Sequence, residues 1–391
     1  MSEDQSARVT VAGGGVAALE LVLALRELVP QTAVEILAPK PESAFRPLAV
    51  LVPFALGDPK ELDLERFASQ EGASVVRDTL VAVDADKRTL RTGRGEERPF
   101  DLLVVAAGAR AVEAVPGAVL FRGPGDERRL GLLFEEYAAG DLRRLAFAVP
   151  SDIAWSLPAY ELALLSASEL AAREVRGAQI TIVTPEPSPL ALFGERASAA
   201  VSGLLDQAGV QVMAGVMPER AGNGRLETSA GEIEADRVVA LPRLHGPGFP
   251  GLPSDDDGFV LTDWHGQVQG LDGVYAAGDV VSFPIKQGGL AAQQADAVAD
   301  SIAARLGADV EPDPFRPVLR GMLLAGESVQ YLERTLEGEG ESAVPALWRP
   351  ESKVFGRHLL RYLGADDAPA LVPTAAETEA GVPVEAELDA P

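Results

Sequence analysis

Six residues near the front of the chain, Gly13-Gly14-Gly15-Val16-Ala17-Ala18, have the types and spacing that grip a diphosphate. In the pattern G-x-G-x-x-A the first glycine allows a tight turn after a strand. The second lets the backbone approach the phosphates, and the final small residue lets a helix pack closely on the strand. The context agrees: Arg8–Ala12 is a short β-branched run, and Val16–Leu28 carries apolar residues at helical spacing. The N–H groups that open such a helix, at the positive end of its dipole, face an anion. One customary part is absent. After the second strand, Ala33–Leu37, the place of a ribose-holding acid is taken by Ala38, and strand alternation puts Glu35 on the other face. The ribose contact then falls to backbone at Ala38 and Pro39, to Lys40, or to Ser43.

Two later strands end in similar small-residue turns. Leu102–Ala106 runs into Ala107-Gly108-Ala109-Arg110, and Gly273–Ala277 runs into Gly278-Asp279. Just beyond, Phe283-Pro284-Ile285-Lys286-Gln287-Gly288-Gly289-Leu290 leads into an alanine-rich helix read over Gln287–Leu306. Glycine at these turns lets a ligand come close. Lys286 and Lys353 are the only lysines in the second half of the chain, which marks Lys286 as a placed positive charge.

Together the glycine loop, the Ala106–Arg110 turn and the Tyr275–Asp279 segment resemble the FAD-dependent pyridine nucleotide-disulfide oxidoreductase superfamily. Within it the chain is most similar to the group of sulfide:quinone oxidoreductases and type II NADH dehydrogenases. The likeness runs over about residues 7–363 and extends to Phe45-Arg46-Pro47 and Lys286-Gln287, which in that group lie beside the flavin. The resemblance implies FAD held by Gly13, Gly14, Gly15, Val16, Ala17, Ala18, Ala38, Pro39, Lys40, Arg46, Pro47, Val81, Ala107, Gly108, Arg110, Gly278, Asp279, Lys286 and Gln287. Asp279 would accept from a ribityl hydroxyl or orient a nearby N–H. N–H groups opening the long helix would face the pyrimidine edge of the isoalloxazine, and Lys286 would stabilise negative charge on the reduced ring.

The chain departs from that group in its electron donors. It contains no cysteine, so a redox disulfide, a persulfide, a zinc–thiolate site and an iron–sulfur cluster are all excluded. Ser156 stands where the resemblance places a sulfur-carrying cysteine. The second strand–helix unit should carry a glycine loop for a nicotinamide nucleotide. It reads instead Val149-Pro150-Ser151-Asp152-Ile153-Ala154-Trp155-Ser156-Leu157-Pro158-Ala159-Tyr160-Glu161. Pro158 removes a backbone donor, and Trp155 adds bulk where a diphosphate would lie. Thr184-Pro185-Glu186 still offers an acid that would hold a ribose. Trp155 and Tyr160, as walls for a flat substrate, and Glu161, as a proton-transfer group, join Lys286 as the candidate catalytic residues. Core packing for Trp155 and a helix N-terminal charge for Glu161 are the competing readings.

Three functions remain open. The first is an FAD-dependent oxidoreductase passing electrons through the flavin without a redox disulfide, between a small-molecule donor and a small acceptor such as a quinone. The second is an NAD(P)H dehydrogenase with an atypical nucleotide site. The third is a flavin-binding interaction module without turnover.

The elements that must position these residues follow an α/β order with a coarse duplication: strand–helix–strand units open near residues 8 and 145. The expected architecture is two Rossmann-like dinucleotide-binding domains, an NAD(P)-like one nested inside the FAD domain, plus a C-terminal capping segment. Residues 1–115 and 246–310 form the FAD domain, 116–245 the nested domain, 311–364 the cap, and 365–391 a disordered acidic tail. The tail carries seven acidic residues and no basic one.

With 34 basic against 59 acidic side chains, the net charge of −25 repels nucleic acid. A polar N-terminus and the lack of an apolar run of the ~20 residues needed for a span point to a cytoplasmic protein, monomeric or homodimeric. His245, His265 and His358 lie far apart and show no metal-ligand spacing, so no metal site is read. His245 reads as an exposed loop residue or a proton relay, and His265 as a turn residue. Arg349, Lys353, Arg357 and Arg361 recur every four residues, which on a helix makes one basic face. That face over 349–363 would meet the acids of the core or a second subunit, or else make a peripheral membrane contact.

Overall fold

A computed structural model describes residues 7–44, 46–57, 61–123, 125–140, 142–151, 155–326, 328–335, 338, 340–343, 347, 353–354 and 356–363. Phe45, Asp152 to Ala154, Arg349 and the tail lie outside the described residues, as do the side chains of Arg46 and Arg361.

Two parallel five-stranded sheets carry the molecule. In the first, the spatial order is Val274–Ala276, Leu102–Val105, Arg8–Ala12, Ala33–Leu37 and Ser74–Val76. Its strands Arg8–Ala12 and Leu102–Val105 are buried on both faces from Val9 onward, as expected for a sheet covered on both sides. The strand Val274–Ala276 comes from far down the chain, so one sheet is built from two distant stretches of sequence. The second sheet runs Val119–Leu120, Arg237–Ala240, Arg144–Ala148, Gln179–Thr184 and Val210–Ala214. Between the sheets the chain passes out and back through an antiparallel ribbon pairing Arg110–Val112 with Arg243–His245.

The Val16–Leu28 helix follows its strand as read from sequence, and Val29 and Pro30 end it. It packs against the Gly288–Arg305 helix, whose alanines let two backbones lie close. The helix of the second unit spans Leu157–Ala172, with Pro158 in its first turn, where the missing N–H costs nothing. Its buried face meets a C-terminal antiparallel sheet of Val318–Ala325, Ser328–Thr335 and Glu341–Ala343. A 3-10 turn over Arg46–Phe54 packs against the same helix. Among the described residues no helix is long and apolar enough to cross a membrane.

The basic helical face expected over 349–363 is not what forms. The described residues there are turns and a short helix at Leu360–Leu363, and Gly356 lies where a regular helix would need a good helix former. Lys353 points inward, Arg357 is exposed and His358 is buried, so the four-residue spacing does not give one shared face.

Candidate functional site

The site is assembled where strands of the first sheet end. Beyond the regular ladder, Gly13 N–H donates to Leu37 O (3.0 Å), Ala106 N–H to Ala12 O (2.8 Å) and Ala277 N–H to Val105 O (3.1 Å). These bonds set Gly13, the Ala106–Gly108 turn and the Ala277–Gly278 turn side by side. In open α/β sheets, ligands bind beyond these carboxyl ends.

Each glycine of the loop has a different reason. A Cβ on Gly13, at φ +144°, would stand 2.0 Å from the Ala106 carbonyl oxygen, so only glycine fits. A Cβ on Gly14 would come within 2.7 Å of Leu64 and 3.3 Å of Ala38. A Cβ on Gly15 would meet nothing within 4 Å: this residue faces open space at the head of the helix. Gly15 caps that helix with no side-chain hydrogen bond, and the first turn carries no acid. The N–H groups there are therefore left to an external anion. Ala17 and Ala18 are buried against the sheet, and a Cβ on Gly278 would reach Ala17 at 3.0 Å.

Around this cradle, Ala38 is buried and its N–H donates to Val76 O, which fixes the turn into Pro39 and the exposed Lys40. Glu35 pairs with Arg98 (2.9 Å) and has no part in the cradle. Gly278 N–H donates to the Gln294 side chain (2.8 Å), a support from the long helix that carries no local sequence signal. Ala107 and Arg110 are exposed, the latter on the antiparallel ribbon opposite His245. Val81 is exposed on a separate three-stranded antiparallel sheet.

Lys286 is buried. Its ammonium donates to the Val281 carbonyl and lies 3.8 Å from the centre of the Phe259 ring. Burial lowers it to about 8, against the opposing pull of Asp279 and Asp255. Gln287 uses its side-chain oxygen to cap the long helix at Leu290 N–H (2.9 Å) and its amide to reach Arg320 O (3.2 Å). The head of this helix is thus partly satisfied from within.

The second sheet carries a different arrangement. Glu186 follows the strand Gln179–Thr184, where a ribose-holding acid was expected, but its carboxylate is already engaged. Tyr160 Oη donates at 2.6 Å, Ser156 Oγ at 3.0 Å and Thr184 Oγ1 at 3.0 Å. Burial pushes the Glu186 carboxyl up while these three hydroxyls pull it back down. Burial, then the neighbouring Glu186 charge, pushes the Tyr160 hydroxyl up. Trp155 packs edge-on against Phe193 with ring centres 5.8 Å apart, so it fills space beside the core.

Glu161, the next residue, turns the other way. It is wholly buried and takes Lys353 Nζ at 2.6 Å and Leu324 N–H at 3.0 Å. Lys353 also donates to Pro47 O (3.0 Å). The C-terminal segment is thereby pinned to both the Leu157–Ala172 helix and the Arg46–Phe54 turn. Burial pushes Glu161 up and Lys353 down, and each pulls the other back toward its charged form. Among the described residues no hydrogen bond or ion pair joins Lys286 to Trp155, Tyr160 or Glu161, so the four candidates do not form one cluster. Ser156 and Thr184 were missed as partners of Glu186. Their hydroxyls beside an expected acid were the available signal.

Comparisons with known proteins follow the same lines. Residues 160–297 match the family model described as pyridine nucleotide-disulphide oxidoreductase. The sulfide-quinone reductase of Aquifex aeolicus is 25% identical over 264 residues, 61% of this chain and 59% of that protein, so the match spans less than two thirds of this relative. The peroxisomal monodehydroascorbate reductase 1 of Oryza sativa is 26% identical over 343 residues, 78% of this chain and 69% of that one. Among solved structures, the sulfide:quinone oxidoreductase of Aquifex aeolicus superposes with a TM-score of 0.80 at 18% identity, covering 86% of this chain and 87% of the other.

FAD is the cofactor of this group, and the cradle fits it. A loop in which a Cβ is forbidden at Gly13 and crowded by Leu64 and Ala38 at Gly14, and which opens to free space at Gly15 below uncapped helix N–H groups, suits a diphosphate.

Proposed function

We propose that this chain is a member of the pyridine nucleotide-disulphide oxidoreductase family, an FAD-dependent oxidoreductase whose flavin takes electrons from a donor other than NAD(P)H and passes them to a small acceptor such as a quinone. The observation that carries this reading is the occupied Glu186. Its two carboxylate oxygens receive Ser156, Tyr160 and Thr184, so Glu186 is not free to hold a nucleotide ribose. The loop before it has no glycine, and Trp155 takes up room beside it. With no cysteine, a disulfide relay is absent too.

FAD, when bound, supplies the transfer of a hydride or of single electrons. The chain's own residues do the rest. Gly13 to Ala18 would hold the diphosphate, Gly278 and Asp279 would take the next part of the cofactor, and buried Lys286 would supply a positive charge. Glu161 and Lys353 hold the C-terminal segment against the Arg46–Phe54 turn. The names of the relatives, a quinone reductase and a monodehydroascorbate reductase, support a small organic acceptor.

The test is to reduce the holoprotein anaerobically with dithionite and mix it with a water-soluble quinone. Reoxidation that is saturable in quinone and much faster than free reduced FAD under the same conditions supports the proposal. A protein-bound flavin that the quinone leaves reduced removes quinones as acceptors.

A further inference from the structure

We propose that Glu20, Asp296 and His358 form a binding site for one divalent cation of the zinc class, which ties the C-terminal segment to the seam between the two FAD-domain helices. Glu20 lies on the Val16–Leu28 helix, Asp296 on the Gly288–Arg305 helix and His358 in the turn before Leu360–Leu363. One ligand atom from each lies within 4.8 Å of the others.

Four observations point to an ion. His358 Nε2 stands 3.8 Å from Asp296 Oδ1, beyond hydrogen-bond reach. Two donors each about 2.1 Å from one ion stand about 3.4 Å apart at a tetrahedral angle, so a small side-chain rotation brings this pair to a common centre. The other ring nitrogen, Nδ1, is 3.2 Å from Glu27 Oε2. A carboxylate behind the imidazole is the usual support of a metal-bound histidine, fixing its tautomer and raising its basicity. Among the described residues Asp296 Oδ1 is buried and receives no N–H or O–H from His358, and the carboxyl's one hydrogen-bond neighbour is the acid Glu20, itself a candidate ligand. Finally, Glu20, fully buried, receives His358 N–H (2.6 Å) and Leu359 N–H (2.7 Å), so it is already turned toward the third donor's segment.

Charge argues the same way. Asp300 and Glu20 both add negative charge at Asp296, Glu27 adds more at His358, and Arg357 is the nearby guanidinium that opposes them. A cation relieves this crowding. Two carboxylates and one imidazole suit zinc or a similar transition ion, whereas magnesium and calcium prefer all-oxygen shells. The three donors come from opposite ends of the sequence, so no local ligand spacing could reveal them.

The test uses the full-length FAD-loaded protein, stripped with a chelator and titrated calorimetrically with zinc chloride. We expect one equivalent to bind saturably and to raise the melting temperature, while magnesium chloride does neither. Asp296→Asn, which keeps both backbone bonds to Glu20, and His358→Gln should each weaken zinc binding at least about tenfold, with FAD content unchanged. No saturable single site, or a site of unchanged affinity in Asp296→Asn, overturns the proposal.

Discussion

Glu161 and Lys353 stand 2.6 Å apart with 1% and 5% of their side chains exposed, a buried ion pair that joins the Leu157–Ala172 helix to the C-terminal segment. Lys353 also holds Pro47, so one ammonium connects three separate stretches of chain. Taking either partner away leaves a buried charge uncompensated. Lys353→Met or Glu161→Ala should each destabilise the protein by about 3–5 kcal/mol, while Glu161→Leu with Lys353→Met together should recover much of that loss. Denaturant unfolding of the three variants checks this. A double variant no more stable than the singles would count against the pair as described.

The loop glycines separate folding from cofactor binding. Gly13→Ala should fail to fold correctly, because its Cβ would strike Ala106 O at a backbone angle that L-residues avoid. Gly15→Val has room, at φ −90° and ψ −171°, and should fold with unchanged secondary structure. Its side chain would occupy the space assigned to the diphosphate. FAD affinity should fall at least about tenfold, the equivalent of 1.4 kcal/mol. Circular dichroism and FAD titration of the two proteins would show it, and a Gly15→Val protein with full affinity would move the diphosphate elsewhere.

Lys286 gives a pH signature. Its pKa is lowered by burial from 10.5 to about 8, so between these values the unfolded chain binds a proton that the folded chain has released. Stability contributed at this position therefore rises as pH climbs from about 8 toward 10.5, and the burial penalty is fully present below about 8. Measured on the apoprotein, the difference in unfolding free energy between wild type and Lys286→Met should shift in favour of wild type across that window. A pH-independent difference would mean that Lys286 titrates alike in both states.

The first unit was legible because its signals are local. Strand Arg8–Ala12, helix Val16–Leu28 and strand Ala33–Leu37 form as read, since a β-branched run, a glycine turn and a helical apolar pattern lie within one another's reach. The same holds for the Gly288–Arg305 helix, within a residue at each end. The C-terminal region was misread because its chemistry is non-local. Lys353 looked like one member of a basic stripe until Glu161, far back in the sequence, drew it inward. The antiparallel pair Val318–Ala325 and Ser328–Thr335 went unread although Gly326, at φ +72°, marks its turn. Glu161 was taken as a proton-transfer group or a helix N-terminal charge because a sequence shows a residue's own position but not its distant partner.

Glu186 sets how the hydroxyls of its pocket respond. Tyr160→Phe removes the shortest of its three donors and should cost about 1–3 kcal/mol of stability, because a buried carboxylate loses one of its hydrogen bonds and keeps only Ser156 and Thr184. Thermal and denaturant unfolding check the cost. A neutral substitution would mean that water or another donor serves Glu186 equally well.

The most direct measurement of the account is anaerobic mixing of the oxidised yellow holoprotein with NADH and with NADPH, followed by flavin absorbance, with dithionite as the positive control. With Glu186 held by Ser156, Tyr160 and Thr184, the flavin should stay oxidised with both nucleotides and bleach fully with dithionite. Rapid, stoichiometric bleaching by either nucleotide would contradict it and make the chain an NAD(P)H dehydrogenase.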